Sequence, residues 1–293
     1  MAYLTNISGI YKKNESLSKY SNFGTGGTAE TLFIPNSRDD LVNFLRISGG
    51  EQKINVVGNG SNLLIRDGIL DGITIVTKGL NRISRSGNNI VAEGGVANTK
   101  LFNFARKLGI GDFEFLGCIP GTVGGACRMN AGCYGFEIKD ILISLETVDF
   151  QGNVNYFDTR DCKMKYRRSG LAENLIFTGA VFSATIAREK QEIQKIFSEM
   201  LDKKLETQPL DEKTCGCTFK NPSGGLPPAW RIIKNLGLQG KNFGGAKFSE
   251  KHANFLVNCG DATSTDLENL INLARNEAKS QMNIDLELEI KII

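Results

Sequence analysis

The chain has 293 residues, 41% of them hydrophobic and 23% charged, and a formal net charge of +3. That length accommodates two domains or three small ones, and the composition is ordinary for a globular protein. So slight a positive charge argues against a nucleic-acid partner, and without an apolar run of about 18 residues or more no membrane span is expected.

Met1 to Ser16 is polar, carries Lys12, Lys13 and Glu15, and has no apolar core of signal-peptide length. Asn36-Ser37-Arg38-Asp39-Asp40 reads as a helix start, with Leu41, Phe44 and Leu45 on one face. Ile54 to Val57 reads as a short buried strand, and Ile73 to Val76 and Ile90 to Ala92 as further strands bounded by Gly and Asn. Asn98 or Thr99 is the expected cap of a helix carrying Leu101, Phe102, Ala105 and Leu108. Ile143 to Phe150 and Ile176 to Ile186 are β-branched, partly alternating strands. Residues 187–208 switch to helical spacing, with Ile193, Ile196, Phe197, Met200, Leu201 and Leu205 on one face and Gln208-Pro209 as the stop. The main domain boundary is placed in this helix, near 190–205. A last helix is expected to start at Thr265, with Glu268 completing a capping box, and Ile284 to Ile293 alternates as an amphipathic strand. Short strands without a βαβ rhythm predict an α+β fold rather than a doubly wound sheet.

Two glycine-rich stretches stand out. Gly117-Cys-Ile119-Pro120-Gly121-Thr122-Val-Gly124-Gly125 opens a run to Gly135 that holds six glycines and almost no charge. Gly58-Asn59-Gly60-Ser61-Asn62-Leu63 follows the strand ending at Val57. Bare backbone of this kind can turn with positive φ or approach a ligand closely, and its N–H groups suit phosphate oxygens. Neither stretch is a Walker loop or a Rossmann fingerprint. Two loops fit a long ligand with two phosphates better than a mononucleotide, and tight structural turns are the alternative reading.

Seven cysteines without paired Cys-x-x-Cys spacing point to reduced thiols in a cytoplasm. His252 is the only histidine, which weighs against most metal and Ser-His-Asp chemistry, so no metal is expected and His252 is read as a structural hydrogen-bonder. Lys165-Tyr166-Arg167-Arg168-Ser169 groups a phenol with two guanidiniums suited to carboxylate or phosphate, or is a solvated loop. Cys215-Gly216-Cys217-Thr218-Phe219-Lys220-Asn221-Pro222 places thiol, hydroxyl, ammonium and amide in a Gly/Pro-bounded turn. Glu287 and Glu289 share one face of the last strand, by pattern its wet side. Trp230 is read as packing.

Taken in order, these segments resemble the UDP-N-acetylenolpyruvoylglucosamine reductases, flavoenzymes that complete UDP-N-acetylmuramate in peptidoglycan synthesis. The resemblance rests on Phe23-Gly-Thr-Gly-Gly-Thr-Ala29, the two glycine loops, Met129-Asn-Ala-Gly132, Tyr166-Arg167 with Ser169, Gly216 with Phe219-Lys-Asn-Pro222, and Gly245-Ala246 with Ser249-Glu-Lys-His252. The short chain and the segment around Tyr166 match the compact branch of the family.

The resemblance implies a vanillyl-alcohol-oxidase-type FAD-binding fold in two lobes, 1–80 and 81–190, and a C-terminal substrate-binding domain, 200–293. FAD would be held by Gly58 to Leu63 and by Gly117, Ile119, Pro120, Gly121, Thr122, Gly124 and Gly125. NADPH would reduce the flavin, leave, and be replaced by the enolpyruvyl UDP-sugar. Arg167 would hold the substrate carboxylate as negative charge develops. Glu289 would act beside it as a protonated acid or through water, since a bare carboxylate would repel that charge. Cys217 stands where the family usually has a serine, as proton donor to the carbanion. Tyr166, Lys220 and Asn221 would contact the substrate diphosphate and carboxylate. A monomer acting in the cytoplasm is expected. An alcohol oxidase of the same fold and a non-catalytic nucleotide-binding protein are the alternatives.

Overall fold

The computed structural model describes residues 7–48 and 52–293. Residues 1–6, part of the segment read for a leader, lie outside them, as do 49–51 within the first expected lobe. The first elements are β1 (Ile10–Ser16), β2 (Thr28–Ile34), α1 (Arg38–Ile47), β3 (Ile54–Val57), β4 (Leu63–Leu64), β5 (Ile69–Val76), β6 (Ile83–Ser86) and β7 (Asn89–Glu93). Next come α2 (Asn98–Lys107), α3 (Glu114–Gly117), α4 (Val123–Arg128), β8 (Gly132–Cys133), β9 (Phe136–Glu137), α5 (Ile138–Ile141), β10 (Leu142–Asp149), β11 (Val154–Asp158) and β12 (Leu175–Ser183). The chain ends with α6 (Lys190–Thr207), α7 (Ala229–Asn235), β13 (Asn242–Phe243), β14 (Ala246–Phe248), β15 (Leu256–Asn258), α8 (Ser264–Met282) and β16 (Lys291–Ile292). Strands and helices come in blocks, an α+β arrangement.

The residues form two compact units. The first takes the chain up to Lys13, Glu30–Asn59 and Asp71–Asp202; the second takes Asn14–Ala29, Gly60–Leu70 and Lys203–Ile293.

Among the described residues, the first unit holds two larger sheets and the two-stranded β8-β9. In the four-stranded sheet β1-β2-β5-β3, β3 runs parallel to β5 with Ile54 opposite Ile73. The helix α1 covers a core of Phe33, Leu41, Phe44, Leu45 and Ile75, and the rings of Phe33 and Phe44 stack at 4.0 Å. The helix starts within the expected Asn36–Asp40 segment, capped by Ser37, whose Oγ accepts from Asp40 N at 3.1 Å. The five-stranded sheet has the order β11-β10-β12-β7-β6. Its inward side chains Ala92, Leu145 and Phe182 belong to one core with Leu101 and Phe102 of α2 and Val123 and Cys127 of α4.

The start of α2 departs from expectation. The cap position is Ala97, with no side-chain cap, and Asn98 turns inward to 1% exposure. Its Nδ2 donates to Ile119 O at 3.2 Å, a use that takes the amide away from the helix end. Leu108, expected on the buried face, is the C-cap residue and is exposed. In α6, Ile193 is buried and Leu205 is exposed, so the apolar face is covered mainly at its start.

The second unit has the sheet β13-β14-β15 and packs α7 and α8 around Phe219, Ile232, Phe248, Leu267, Leu270 and Ile271. The capping box of α8 is Thr263 with Asp266, two residues before the expected Thr265 with Glu268. Thr263-Ser264-Thr265 offers three hydroxyls, and tertiary contacts decide among them. Ser264 is committed to Asp67 at 2.8 Å, and Glu268 makes a bidentate pair with Arg66. Of the expected terminal strand, Lys291–Ile292 (β16) pairs in parallel with β4, and Leu288 forms an antiparallel bridge with Phe219. Burial still alternates through Ile284, Leu286 and Ile290, but Glu289 is half-buried where Glu287 is exposed.

Candidate active site

The two glycine loops meet within the first unit. A Cβ on Gly58, just after β3, would lie 2.6 Å from Thr122 Oγ1, and a Cβ on Gly125 would lie 3.6 Å from the same atom. Thr122 is the N-cap of α4, and Gly125 N donates to its hydroxyl at 3.4 Å. Bare backbone from both loops therefore converges on one hydroxyl. Asn98 holds the second loop in place, since its amide N donates to Gly121 O at 3.1 Å while its side chain takes Ile119 O. Its Oδ1 is buried without a protein partner, an orphaned acceptor of the kind that ligand sites leave. The only sequence signal for Asn98 was its place at a helix start, which suggested a cap.

Not every glycine in the loop faces outward. A Cβ on Gly117 would strike the rings of Phe197 and Phe102, at 2.6 and 2.8 Å. Gly124 sits against β7 and β12: its N donates to Gly94 O at 2.7 Å, and a Cβ would lie 2.7 Å from Phe177 O. These two positions have a packing reason to be glycine. Pro120 and Gly125 are exposed, and Ile119 and Gly121 half-buried.

The boundary between the units falls between Asn59 and Gly60. In the second unit, Gly60 O accepts from Asn22 N at 3.1 Å and from Cys215 Sγ at 3.3 Å, and Leu63 O accepts from Cys215 Sγ at 3.3 Å. Cys215 is thereby a structural thiol, and burial pushes it up to about 12. Asn62 Nδ2 donates to Glu289 O at 3.1 Å, and Lys291 N donates to Asn62 O at 2.9 Å. Ser61 is half-buried beside them.

Tyr166 and Arg167 form the tip of a tight turn in the first unit. Lys165 N donates to Arg168 O at 2.9 Å, and Arg168 N to Lys165 O at 3.0 Å. Arg167 has φ 53, in the left-handed region that bulky residues rarely adopt. Its guanidinium lies over the Tyr166 ring, 4.8 Å from the centroid, and donates from Nη2 to Gly132 O at 3.1 Å. A strained, doubly anchored cation is what carboxylate binding calls for, because little freedom is left to lose on binding. The neighbouring Arg168 is exposed.

Cys217 and Glu289 come together in the second unit through the residue between Cys217 and Phe219. Thr218 O accepts from Glu289 N at 2.9 Å, while Thr218 N donates to Asn254 O at 2.8 Å. Asn254, 2% exposed, also exchanges two side-chain bonds with Phe219, at 3.0 and 2.8 Å. The sequence reading missed Asn254, whose only signal was an amide two residues after the sole histidine. Cys217 is half-buried and pairs with Phe255 in a β-bridge. Lys220 pairs with Glu287 through its ammonium, and its N donates to Glu287 O at 2.8 Å. Asn221 Oδ1 accepts from Ala229 N at 3.1 Å, which fixes the start of α7.

His252 lies in the turn before β15. Asn254 N donates to its Nδ1 at 3.3 Å, its ring meets Phe255 edge-on at 4.6 Å, and burial lowers its pKa. These contacts make it structural. Trp230 is 36% exposed with Arg231 over its ring, so it is only partly a packing residue. Among the described residues, no group of three or more His, Cys, Asp or Glu is placed to hold a metal ion, and no helix is long and apolar enough to cross a membrane.

The expected site residues thus divide by unit. Gly58, Asn59, the 117–125 loop, Tyr166 and Arg167 are in the first; Gly60 to Leu63, Cys217, Lys220, Asn221 and Glu289 are in the second. Chemically they supply bare backbone, a fixed guanidinium, and a thiol with a carboxyl group carried by bonded strands.

Comparison with known proteins agrees over the whole length. A model of the FAD-binding domain matches residues 29–156, and one of the UDP-N-acetylenolpyruvoylglucosamine reductase C-terminal domain matches residues 208–293. The UDP-N-acetylenolpyruvoylglucosamine reductase of Rickettsia canadensis is 40% identical over 295 residues, covering 100% of this chain and 99% of that one. That of Phenylobacterium zucineum is 38% identical, covering 98% and 96%. The crystal structure of the UDP-N-acetylenolpyruvylglucosamine reductase from Thermus caldophilus matches with a TM-score of 0.83 at 30% identity, covering 98% and 99%.

Proposed function

We propose a division of labour among the residues of this chain, which belongs to the UDP-N-acetylenolpyruvoylglucosamine reductase family. Its reaction is the NADPH-dependent reduction of UDP-N-acetylglucosamine enolpyruvate to UDP-N-acetylmuramate, with FAD as cofactor, in peptidoglycan synthesis. Identity of 40% along the entire chain is the observation that carries this assignment.

FAD, when bound, supplies the two-electron relay between NADPH and the enolpyruvyl group. Gly58 to Leu63, with Ile119, Pro120, Gly121, Thr122 and Gly125, would hold its diphosphate. The convergence of bare backbone at Thr122 and the orphaned Asn98 Oδ1 support that fit. Gly117 and Gly124 serve it indirectly, by letting the loop pack closely on Phe197 and β7.

Hydride arriving at the terminal vinyl carbon leaves negative charge on the adjacent carbon and on the substrate carboxylate. Arg167 offsets that charge. Its guanidinium is fixed before substrate arrives, so stabilisation needs no reorganisation at the moment of reaction. Cys217 donates its Sγ proton to the carbanion carbon, a task that suits a thiol because thiols as a class are far more acidic than serine hydroxyls. Glu289 acts with them as a protonated carboxyl group or through water. The Thr218 and Asn62 hydrogen bonds to its main chain support a positioned role. Tyr166, Lys220 and Asn221 take the sugar nucleotide's diphosphate and carboxylate. The same reading has the enzyme working as a monomer in the cytoplasm, with no nucleic-acid partner.

The test is an anaerobic half-reaction assay. NADPH bleaches the enzyme-bound flavin, and the enolpyruvyl UDP-sugar restores its colour while oxygen-free buffer does not. Cys217→Ala keeps the first step and slows the second by about 10²-fold or more. An unchanged second step in that variant means another group is the proton donor.

A further inference from the structure

Asn130, in the turn after α4, is 0% exposed and has φ 40, a conformation Asn tolerates better than other non-glycine residues. Its side chain bridges two separate segments. Nδ2 donates to Lys165 O at 3.1 Å, and Oδ1 accepts from Lys139 N at 3.0 Å.

The Lys165 carbonyl is the one that closes the Tyr166–Arg167 turn, since it also accepts from Arg168 N at 3.0 Å. Two residues beyond Asn130, Gly132 O accepts from Arg167 Nη2 at 3.1 Å. Two residues before it, Arg128 O accepts from Ser169 N at 3.1 Å. The segment 128–132 therefore grips both the base of the turn and the guanidinium at its tip. It is continuous with α4, whose other end is the Thr122 cap.

We propose that Asn130 is a positioning residue for Arg167: through the Lys165 carbonyl it holds a strained turn that would otherwise relax and withdraw the guanidinium from the substrate carboxylate. This rests on the reading of Arg167 as the carboxylate-binding cation. A group displaced by about 1 Å can slow a reaction by about 10²-fold, so a single hydrogen bond at the base of the turn is enough to matter. Asn130 itself is buried and acts through Arg167, whereas flavin reduction by NADPH involves no developing carboxylate charge and does not depend on it.

Asn130→Asp is nearly isosteric. It keeps the acceptor for Lys139 N and replaces the donor to Lys165 O with a second acceptor. The expected result is reoxidation of the reduced flavin by the enolpyruvyl UDP-sugar slowed by about 10- to 100-fold, with flavin content and the NADPH step within about twofold of the parent. In an Arg167→Ala background the same change adds nothing further, because the two residues act as one unit. Asn130→Gly accepts φ 40 and removes both side-chain bonds, so it gives the same pattern should the aspartate variant fail to fold. Equal slowing in both backgrounds, equal slowing of both half-reactions, or loss of flavin from both Asn130 variants makes Asn130 a structural staple and overturns the proposal. If Arg167→Ala slows the substrate step and neither Asn130 variant does, the proposal fails while the reading of Arg167 stands. If Arg167→Ala leaves that step unchanged, it is the reading of Arg167 that falls.

Discussion

Asn62 and Glu289 share a hydrogen bond across 227 positions of sequence: the side-chain amide of Asn62 donates to the main-chain carbonyl of Glu289 at 3.1 Å. The 60–63 loop, proposed above to hold the flavin diphosphate, therefore also fixes the backbone of Glu289. Asn62→Ala should cost about 1 kcal/mol of stability, the usual worth of such a bond. It should also slow the substrate half-reaction by about tenfold, measured by stopped-flow against flavin reduction by NADPH. A variant with a lowered Tm and an unchanged substrate step would show that this hydrogen bond does not position Glu289 for the reaction.

Gly58 and Thr122 are coupled by space. Gly58→Ala puts a methyl group 2.6 Å from Thr122 Oγ1, so it should weaken FAD binding by about tenfold or more through a shift of the loop. Thr122→Ala removes the obstructing atom and a helix cap, at about 0.5–2 kcal/mol. The double variant should bind FAD better than Gly58→Ala alone, measured by equilibrium titration of apoprotein. Strictly additive losses would mean that the two loops are held apart by something other than this hydroxyl.

The start of α8 is decided between neighbouring hydroxyls. Thr263→Ala should destabilise the protein by about 1 kcal/mol, and Thr265→Ala by less than about 0.5 kcal/mol, because the capping box is Thr263 with Asp266. Urea melts of the two variants discriminate directly.

Burial holds the His252 imidazole below its ordinary value of 6.5. An unfolded chain then binds the extra proton first, so the stability the neutral ring contributes is present above pH 6.5 and is lost as pH falls from there towards the lowered native value. His252→Asn, whose Oδ1 can replace Nδ1 as acceptor for Asn254 N, should lose less stability than the parent between pH 7.5 and 5. Equal acid sensitivity in thermal melts would place the titrating group elsewhere.

The cysteines should differ in reactivity. Burial raises the pKa of Cys127 and pushes Cys215 up to about 12, so both stay protonated and shielded at pH 8. Cys259 is exposed and Cys217 half-buried. Iodoacetamide at pH 8 should label Cys259 first and the half-buried Cys133 and Cys217 next, with activity lost in step with Cys217. Mass spectrometry locates the label, and early modification of Cys215 would contradict the packing described for the 60–63 loop.

Local pattern carried much of this molecule. The strand at Ile54–Val57 and the Ser37-capped helix occupy their expected places, because apolar spacing and a capping hydroxyl act over a few residues. The family motifs were equally legible, being runs of residue types in order. The caps of α2 and α8 were not. In each case a polar side chain had several possible partners within reach of its own helix, and a distant one won: Ile119 O for Asn98, Asp67 for Ser264.

Sequence alone determined the family, the chemistry on offer and the order of the motifs, since glycine, guanidinium, thiol and carboxyl group are properties of residues. Only the tertiary structure decided that Gly117 and Gly124 serve packing, that Glu289 is half-buried while Glu287 is exposed, and that Asn130 grips the arginine turn. A buried amide or carbonyl must find a partner wherever folding brings one within about 3 Å, and that distance is set by the packing of elements far apart in the chain.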